Sequence, residues 1–304
     1  MTSKLLAALN ASALASNFNV KAKIAQLFIY PIKSCGAIEL KEAVLTDTGL
    51  DLDRAWMLVD EVGEFVTQRE LPRMTLIQPL LNTYDMIVKA PGMEPLHVPI
   101  YPTEEELGAD VSVKVWEYTA KAFDMGDDAA DWFSTFLKKT VRLVRFDPEQ
   151  ARLSDLKWTD GLEGKNGFDD GFAILVTSAA SLKTLNDKLD AAGEQQVTMQ
   201  RFRPNVVLTG VDAHDEDRLD TLHIATKEGD VQLKHVKPCV RCAIPTVDPK
   251  TGKTNPAVSD TLQTYRQNPQ MDNGVTFGMN AIILKGEGAT LRVGQTVGAD
   301  YLFG

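Results

Sequence analysis

Short apolar runs separated by Pro, Gly and charged residues dominate the first half of the chain. Residues 24–30 run into Pro31, and 39–46, 54–60 and 64–68 follow, with Glu61, Val62 and Gly63 between the last two. Runs of this length predict strands, and the Gly-bearing break predicts an antiparallel hairpin. Residues 76–80, 86–89 and 111–116 continue the series before and after the Pro91-Gly92 turn. Many short strands punctuated in this way predict a barrel or sandwich rather than a parallel α/β sheet.

The period changes at 127–139, where Ala129, Trp132, Phe133, Phe136 and Leu137 share one face. Acidic residues open this predicted helix and Lys138 and Lys139 close it, which suits the helix dipole. It is expected to lie across the end of a barrel, with a boundary between two halves near residue 145. Residues 152–171 are polar and glycine-bearing and read as a long loop, after which 172–176 form a buried strand delivering Thr177 and Ser178. Ser178 is a natural N-cap for a helix carrying Leu182, Leu185 and Leu189 and stopped at Gly193. Free backbone N–H groups at such a helix start bind phosphate well, and ordinary capping explains Ser178 equally well. Beyond it lie predicted strands at 201–208, 231–237, 281–284 and 290–293, an acidic loop at 212–220 and a helical piece at 258–267.

The chain has 304 residues, of which 44% are hydrophobic and 24% charged, enough for one large or two ordinary domains. The net charge of -10 argues against nucleic acid as a partner, because a phosphate-binding surface needs a basic excess. No apolar stretch approaches the ~18 residues of a membrane span. Three cysteines make no disulfide framework and point to a reducing compartment, cytoplasmic or mitochondrial. Residues 1–19 are rich in Ala, Ser and Leu and lack acidic residues, as in a presequence. They also lack arginine, and Asn10 and Ser12 break the apolar run, so a surface helix or a loose tail is the alternative.

Candidate chemistry gathers around Cys239-Val240-Arg241-Cys242, followed by Thr246-Val247-Asp248-Pro249-Lys250-Thr251-Gly252. Flanking cations favour a thiolate, which makes a metal ligand or nucleophile of such a thiol; two small buried residues are the plainer reading. Lys33, Arg54 and Arg203 each sit at a strand end beside turn residues. Taken together with Arg241 and the Thr177-Ser178 helix start, they would form a pocket for an anionic ligand carrying phosphate, with Asn205 offering an amide to a heterocycle. The four histidines are scattered without zinc-ligand spacing, and neither a dinucleotide fingerprint nor a P-loop is present.

Pro31-Ile32-Lys33-Ser34-Cys35, the 53–59 strand, Arg203-Pro204-Asn205 and the Cys239–Cys242 segment with its Asp-Pro-x-x-Gly tail resemble, in order, the MOSC proteins of the amidoxime-reducing type. The resemblance covers residues 23 to 302. It implies a mainly β fold with some helix (α+β), in which a MOSC N-terminal β-barrel domain packs on a MOSC β-barrel domain. The divisions expected are an extension at 1–22, the first domain at 23–145 and the second at 146–304.

The resemblance further implies a molybdenum cofactor (Mo-molybdopterin), with the metal held by the pterin dithiolene, oxo groups and Cys242. Thiolate suits that role as a soft, strongly donating ligand, and Arg241 beside it would offset charge. Lys33, Ser34, Arg54, Thr177, Ser178, Arg203, Asn205, Val240 and Arg241 would hold the pterin and its phosphate. Cys239 would be supporting, and Cys35 would lie near the cofactor without ligating it. The reaction implied is the two-electron reduction of N-hydroxylated compounds, amidoximes and hydroxylamines, to amidines or amines. Some relatives append a ferredoxin-like domain with its own cysteines, which this sequence lacks. Electrons are therefore expected from a separate protein, a cytochrome b5 with its reductase or a ferredoxin-type reductase. A second reading, from another class, is a non-redox carrier of molybdenum cofactor or persulfide sulfur.

Overall fold

The computed structural model describes residues 18–103, 108–150 and 152–302, so the amino-terminal reading falls largely outside the described residues. Seven strands close into a barrel in the order Ile174–Ser178, Val206–Thr209, Val20–Ile29, Thr296–Ala299, Thr221–Ala225, Asp230–Val240 and Gly274–Lys285, the last pairing back onto the first. A ring whose neighbours are all antiparallel needs an even count, so an odd barrel must contain a parallel joint. It lies between Ile174–Ser178 and Val206–Thr209, where Val176 faces Val206. Parallel neighbours require a crossover connection, and the helix Ala179–Ala191 provides it.

The alternation along Val20–Ile29 shows how the barrel fills. Val20, Ala22 and Ile24, then Leu27 and Ile29, join the interior cluster with Leu208, Leu222, Leu233 and Leu291. The step from even to odd positions coincides with a register shift between Ile24 and Gln26, a bulge that re-aims the side chains. Phe28 and Tyr30 point the other way, into a layer with Leu185, Leu189, Phe202, Leu262 and Phe277 under the helices Ala179–Ala191 and Ala257–Gln263. Burial on both faces is why 24–30 reads as a continuous apolar run. Each such fully buried Leu, Ile or Phe contributes about 1.5–3 kcal/mol.

Much of the rest of the first half forms two small sheets. Trp56–Val59, Arg142–Phe146, Tyr118–Asp124 and Asp110–Val115 make one, and Gln78–Leu81, Asp85–Lys89 and Leu96–Pro99 the other. The helix Asp127–Leu137 buries Phe133, Phe136 and Leu137 against Trp56, Leu58, Met74 and Val98. It ends at Lys138 in a left-handed conformation (φ 56°), so Lys138 and Lys139 lie beyond it rather than in its last turn. The expected hairpin partner at 64–68 is reduced to a bridge between Val59 and Phe65.

Two departures bear on the site. The strand expected to stop at Lys237 runs through Pro238 to Val240. Proline cannot donate to the ladder, and the register shifts on both sides of it, between His235 and Lys237 and between Pro238 and Val240, absorb the defect. The expected loop at 152–171 carries a two-residue ladder, Arg152–Leu153 with Lys165–Asn166. Its end is anchored by Phe168, which is fully buried 5.1 Å from the Phe146 ring in the core of the four-stranded sheet.

Candidate cofactor site

The ends of several elements meet beside the parallel joint of the barrel. Lys33 and Ser34 follow the Val20–Ile29 strand, Arg54 precedes Trp56–Val59, and Arg203 and Asn205 precede Val206–Thr209. Val240, Arg241 and Cys242 leave the end of Asp230–Val240, and all eight residues line one cleft. Ser34 (φ 67°), Arg54 (φ 48°) and Arg203 (φ 57°) are non-glycine residues in the left-handed region. Each such residue costs about 1–2 kcal/mol, and their gathering at one cleft is the pattern of a functional site.

Buried hydrogen bonds fix the floor of the cleft. Asp53 Oδ1 accepts from the Tyr30 backbone N–H at 2.7 Å, and its Oδ2 accepts from Asn205 Nδ2 at 2.7 Å and from Arg54 Nη1. Asn205 Oδ1 accepts from the Leu175 backbone N–H at 3.0 Å and from Arg54 Nη1 at 3.2 Å. The Asn205 amide is thus engaged by the protein: it is a strut that aims Arg54 rather than a free group for a heterocycle. Arg54 and Arg203 lie on the Tyr30 ring, 4.7 Å and 4.1 Å from its centroid. Burial drives the Tyr30 phenol well above its ordinary range, with the two guanidiniums opposing.

Lys33 donates to the Phe168 carbonyl oxygen at 2.7 Å and to Asp170 at 2.6 Å. Burial lowers its pKa, and the Asp170 carboxylate partly restores it. For Asp170, the desolvation that would raise the acid is overridden by the Lys33 charge and hydrogen bond and by the Trp116 indole, which hold it well below the usual range.

Arg241 donates from Nη1 to Cys239 Sγ at 2.9 Å and from Nη2 to the Phe202 carbonyl oxygen at 2.8 Å. Its direct sulfur contact is Cys239; the resemblance has it offset the charge of the Cys242 thiol, the next residue in the chain. Cys242 is exposed at the cleft, Cys239 is half-buried, and Cys35 is buried with its thiol pushed up to about 12 by desolvation. All three cysteines are unpaired.

Thr177 and Ser178 are not brought to this cleft. Both are fully buried, and Thr177 Oγ1 donates to Met199 Sδ at 3.3 Å. Ser178 caps the helix by accepting from the Ser181 N–H at 3.1 Å. The acceptor at that helix start is the protein's own: Glu216 accepts from the Ser178 N–H at 3.2 Å and from Ser181 Oγ at 2.7 Å. Conversely, Thr67, Arg69, Asp169, Asp170, Gly171, Phe172 and Asn280 line the cleft without having been singled out. The nearest signal for the 169–171 group was its place immediately before the predicted buried strand that Phe172 opens.

The donors fit an anionic, polar-edged cofactor. Arg203 Nη2 and Arg241 Nε are buried with no hydrogen-bond partner among the described residues. Buried donors left unpaired cost about 1–3 kcal/mol each, so acceptors from a ligand would be well received here. A second cavity of about 610 Å³ adjoins the cleft, sharing Arg203 and Ile244 as walls.

Two family models match the chain, a MOSC N-terminal beta barrel domain over residues 21–140 and a MOSC domain over residues 163–298. The chain is 36% identical over 256 residues to mitochondrial amidoxime reducing component 2 of Rattus norvegicus, covering 80% of this chain and 72% of that protein. It is 34% identical over 295 residues to mitochondrial amidoxime-reducing component 1 of Homo sapiens, covering 92% and 83%. Molybdenum cofactor sulfurase of Homo sapiens is 29% identical over 270 residues, which are 84% of this chain but 29% of that protein. The agreement spans both halves and both sides of the cleft, and the chain belongs to the MOSC-domain family of the amidoxime-reducing components.

Proposed function

We propose that the chain is a molybdenum-cofactor-dependent reductase of N-hydroxylated compounds, amidoximes and hydroxylamines, which it converts to amidines or amines. The observation that carries this reading is the convergence of Lys33, Ser34, Arg54, Arg203, Asn205, Val240, Arg241 and Cys242 on one cleft with unpartnered guanidinium N–H groups. Lys33, Ser34, Arg54, Arg203 and Arg241 would hold the phosphate and the polar edge of the pterin, and Cys242 the metal. When bound, the cofactor supplies the two-electron reducing chemistry. The protein's part is positioning: Asp53 and Asn205 hold Arg54, and Phe202 and Cys239 hold Arg241. Thr177 and Ser178 are outside this set. The adjoining 610 Å³ cavity has room for a small organic group.

Electrons would come from a separate donor, a cytochrome b5 with its reductase or a ferredoxin-type reductase. The same reading keeps a division of the chain near residue 145, between the stretches matched by the two family models. The test is protein purified from a host able to make the cofactor. Stoichiometric molybdenum and reduction of benzamidoxime with a chemical or cytochrome donor are expected. Absence of molybdenum, with sulfur released from a Cys242 persulfide, would instead establish the carrier reading.

A further inference from the structure

Asp169 differs from the other acids of the cleft. Its side chain is 5% exposed, Oδ1 lies 3.6 Å from Arg54 Nε, and Oδ2 is buried with no hydrogen-bond partner among the described residues. Asp170, next to it, is 64% exposed and tied to Lys33 and to the Trp116 indole N–H. The charged groups facing Asp169 are Arg54, Asp53, Lys33 and Arg152. Arg54 is shared with Asp53, Lys33 is tied to Asp170, and Arg152 donates to the carbonyl oxygens of Gly167, Asp169 and Asp170. No cation is therefore dedicated to the Asp169 carboxyl. Desolvation raises its pKa well above the usual carboxylate range, with Arg54 opposing.

An anion received by Lys33 and Arg54 would meet a like charge if Asp169 were ionised. As a carboxylic acid, the same side chain becomes a donor. We propose that Asp169 is the proton-carrying member of the anion site, donating from Oδ2 to an oxygen of a phosphate-type anion held by Lys33 and Arg54. The proton comes from solvent, so anion binding takes up a proton and weakens as pH rises. This rests on the reading of the cleft as an anionic cofactor's site and adds to it a pH dependence of loading.

The test uses the full chain prepared without cofactor and sulfate as the probe, because the charge of sulfate is fixed across the neutral range. Titration calorimetry in buffers of differing ionisation enthalpy counts the protons. Wild type is expected to take up about one proton per sulfate near pH 8 and to lose up to ~10-fold in affinity per pH unit on the alkaline side. Asp169→Asn, which keeps a donor without a charge, should bind with no proton uptake and no pH dependence. Asp169→Ala should bind more weakly than Asp169→Asn at every pH. Equal proton uptake in wild type and Asp169→Asn, or a pH-independent wild-type affinity, overturns the role of Asp169 while leaving the anion site standing. No sulfate binding by wild type, or unchanged binding by Lys33→Met, overturns the anion site itself and this inference with it.

Discussion

Arg54 Nη2 donates to the backbone carbonyl oxygen of Arg203 at 3.1 Å, a bond across 149 positions of sequence. The two guanidiniums share the Tyr30 ring, and burial lowers the Arg203 pKa to about 10, with the Arg54 charge contributing. Asp53 answers the Arg54 charge, whereas Arg203 has no carboxylate partner among the described residues and leaves positive potential there. Added phosphate should therefore raise Tm, by a stabilisation of about 2.7 kcal/mol at a hundredfold excess over Kd. Arg203→Gln should blunt that response; an equal phosphate effect in the variant would place the anion elsewhere.

Cys242 is exposed, so its truncation leaves no cavity. Cys242→Ala should abolish benzamidoxime reduction and molybdenum retention while leaving the unfolding free energy of the cofactor-free protein within about 0.5 kcal/mol of wild type. Cys239→Ala loses the Arg241 contact and should lower activity without abolishing it. Turnover by Cys242→Ala comparable with wild type would remove Cys242 as the metal ligand.

A pH signature follows from the buried groups around the start of the crossover helix. Burial pushes the Glu216 carboxyl from 4.5 up to about 7, while burial pushes His214 and His235 from 6.5 down to about 4. The folded protein thus holds an extra proton on Glu216 between these limits, and that stabilisation is lost as pH rises through about 7. The neutral histidines act oppositely, and their stabilisation is lost as pH falls from 6.5 towards 4. Glu216→Gln should steepen the acid-side loss and remove the decline near neutrality, read by urea unfolding from pH 5 to 8. Parallel curves for variant and wild type would show that Glu216 titrates normally.

Gly278 sits where the barrel closes, at φ 83°, and a Cβ there would lie 2.7 Å from the Val176 carbonyl oxygen and 2.7 Å from Thr177 Cγ2. Gly278→Ala combines an unfavourable dihedral with a backbone clash and should destabilise by about 2 kcal/mol or more. An urea midpoint unchanged from wild type would mean that the closing strands relax freely.

The strand runs and the cations at their ends were legible because each depends on local pattern: an apolar run, a turn residue, a charge. The short strands Thr221–Ala225 and Thr296–Ala299 were not, since their partners lie far away and supply most of their reason to be extended. The helix start at Ser178 was legible as a capping position. That a carboxyl group of the protein, Glu216, 38 residues away, meets its N–H is something no local signal reports. Asp169 and Asp170 were hidden in a stretch without periodicity, held in place by the burial of Phe168. Asn205 was legible as a polar residue at the right place, but its role as a strut depends on Asp53 and Leu175, which only tertiary structure brings near.

The Val20–Ile29 strand lies between Val206–Thr209 and Thr296–Ala299. During vectorial synthesis this strand emerges long before Thr296–Ala299, the strand that covers its second edge. Lys33 and Arg54 leave the ribosome long before Cys242, and the ring that fixes them closes only when Thr296–Ala299 has cleared the exit tunnel. Cofactor loading therefore waits for Thr296–Ala299 to join the ring: before that the nascent chain has no finished receptacle to fill, and its open apolar edge is a natural client for chaperones.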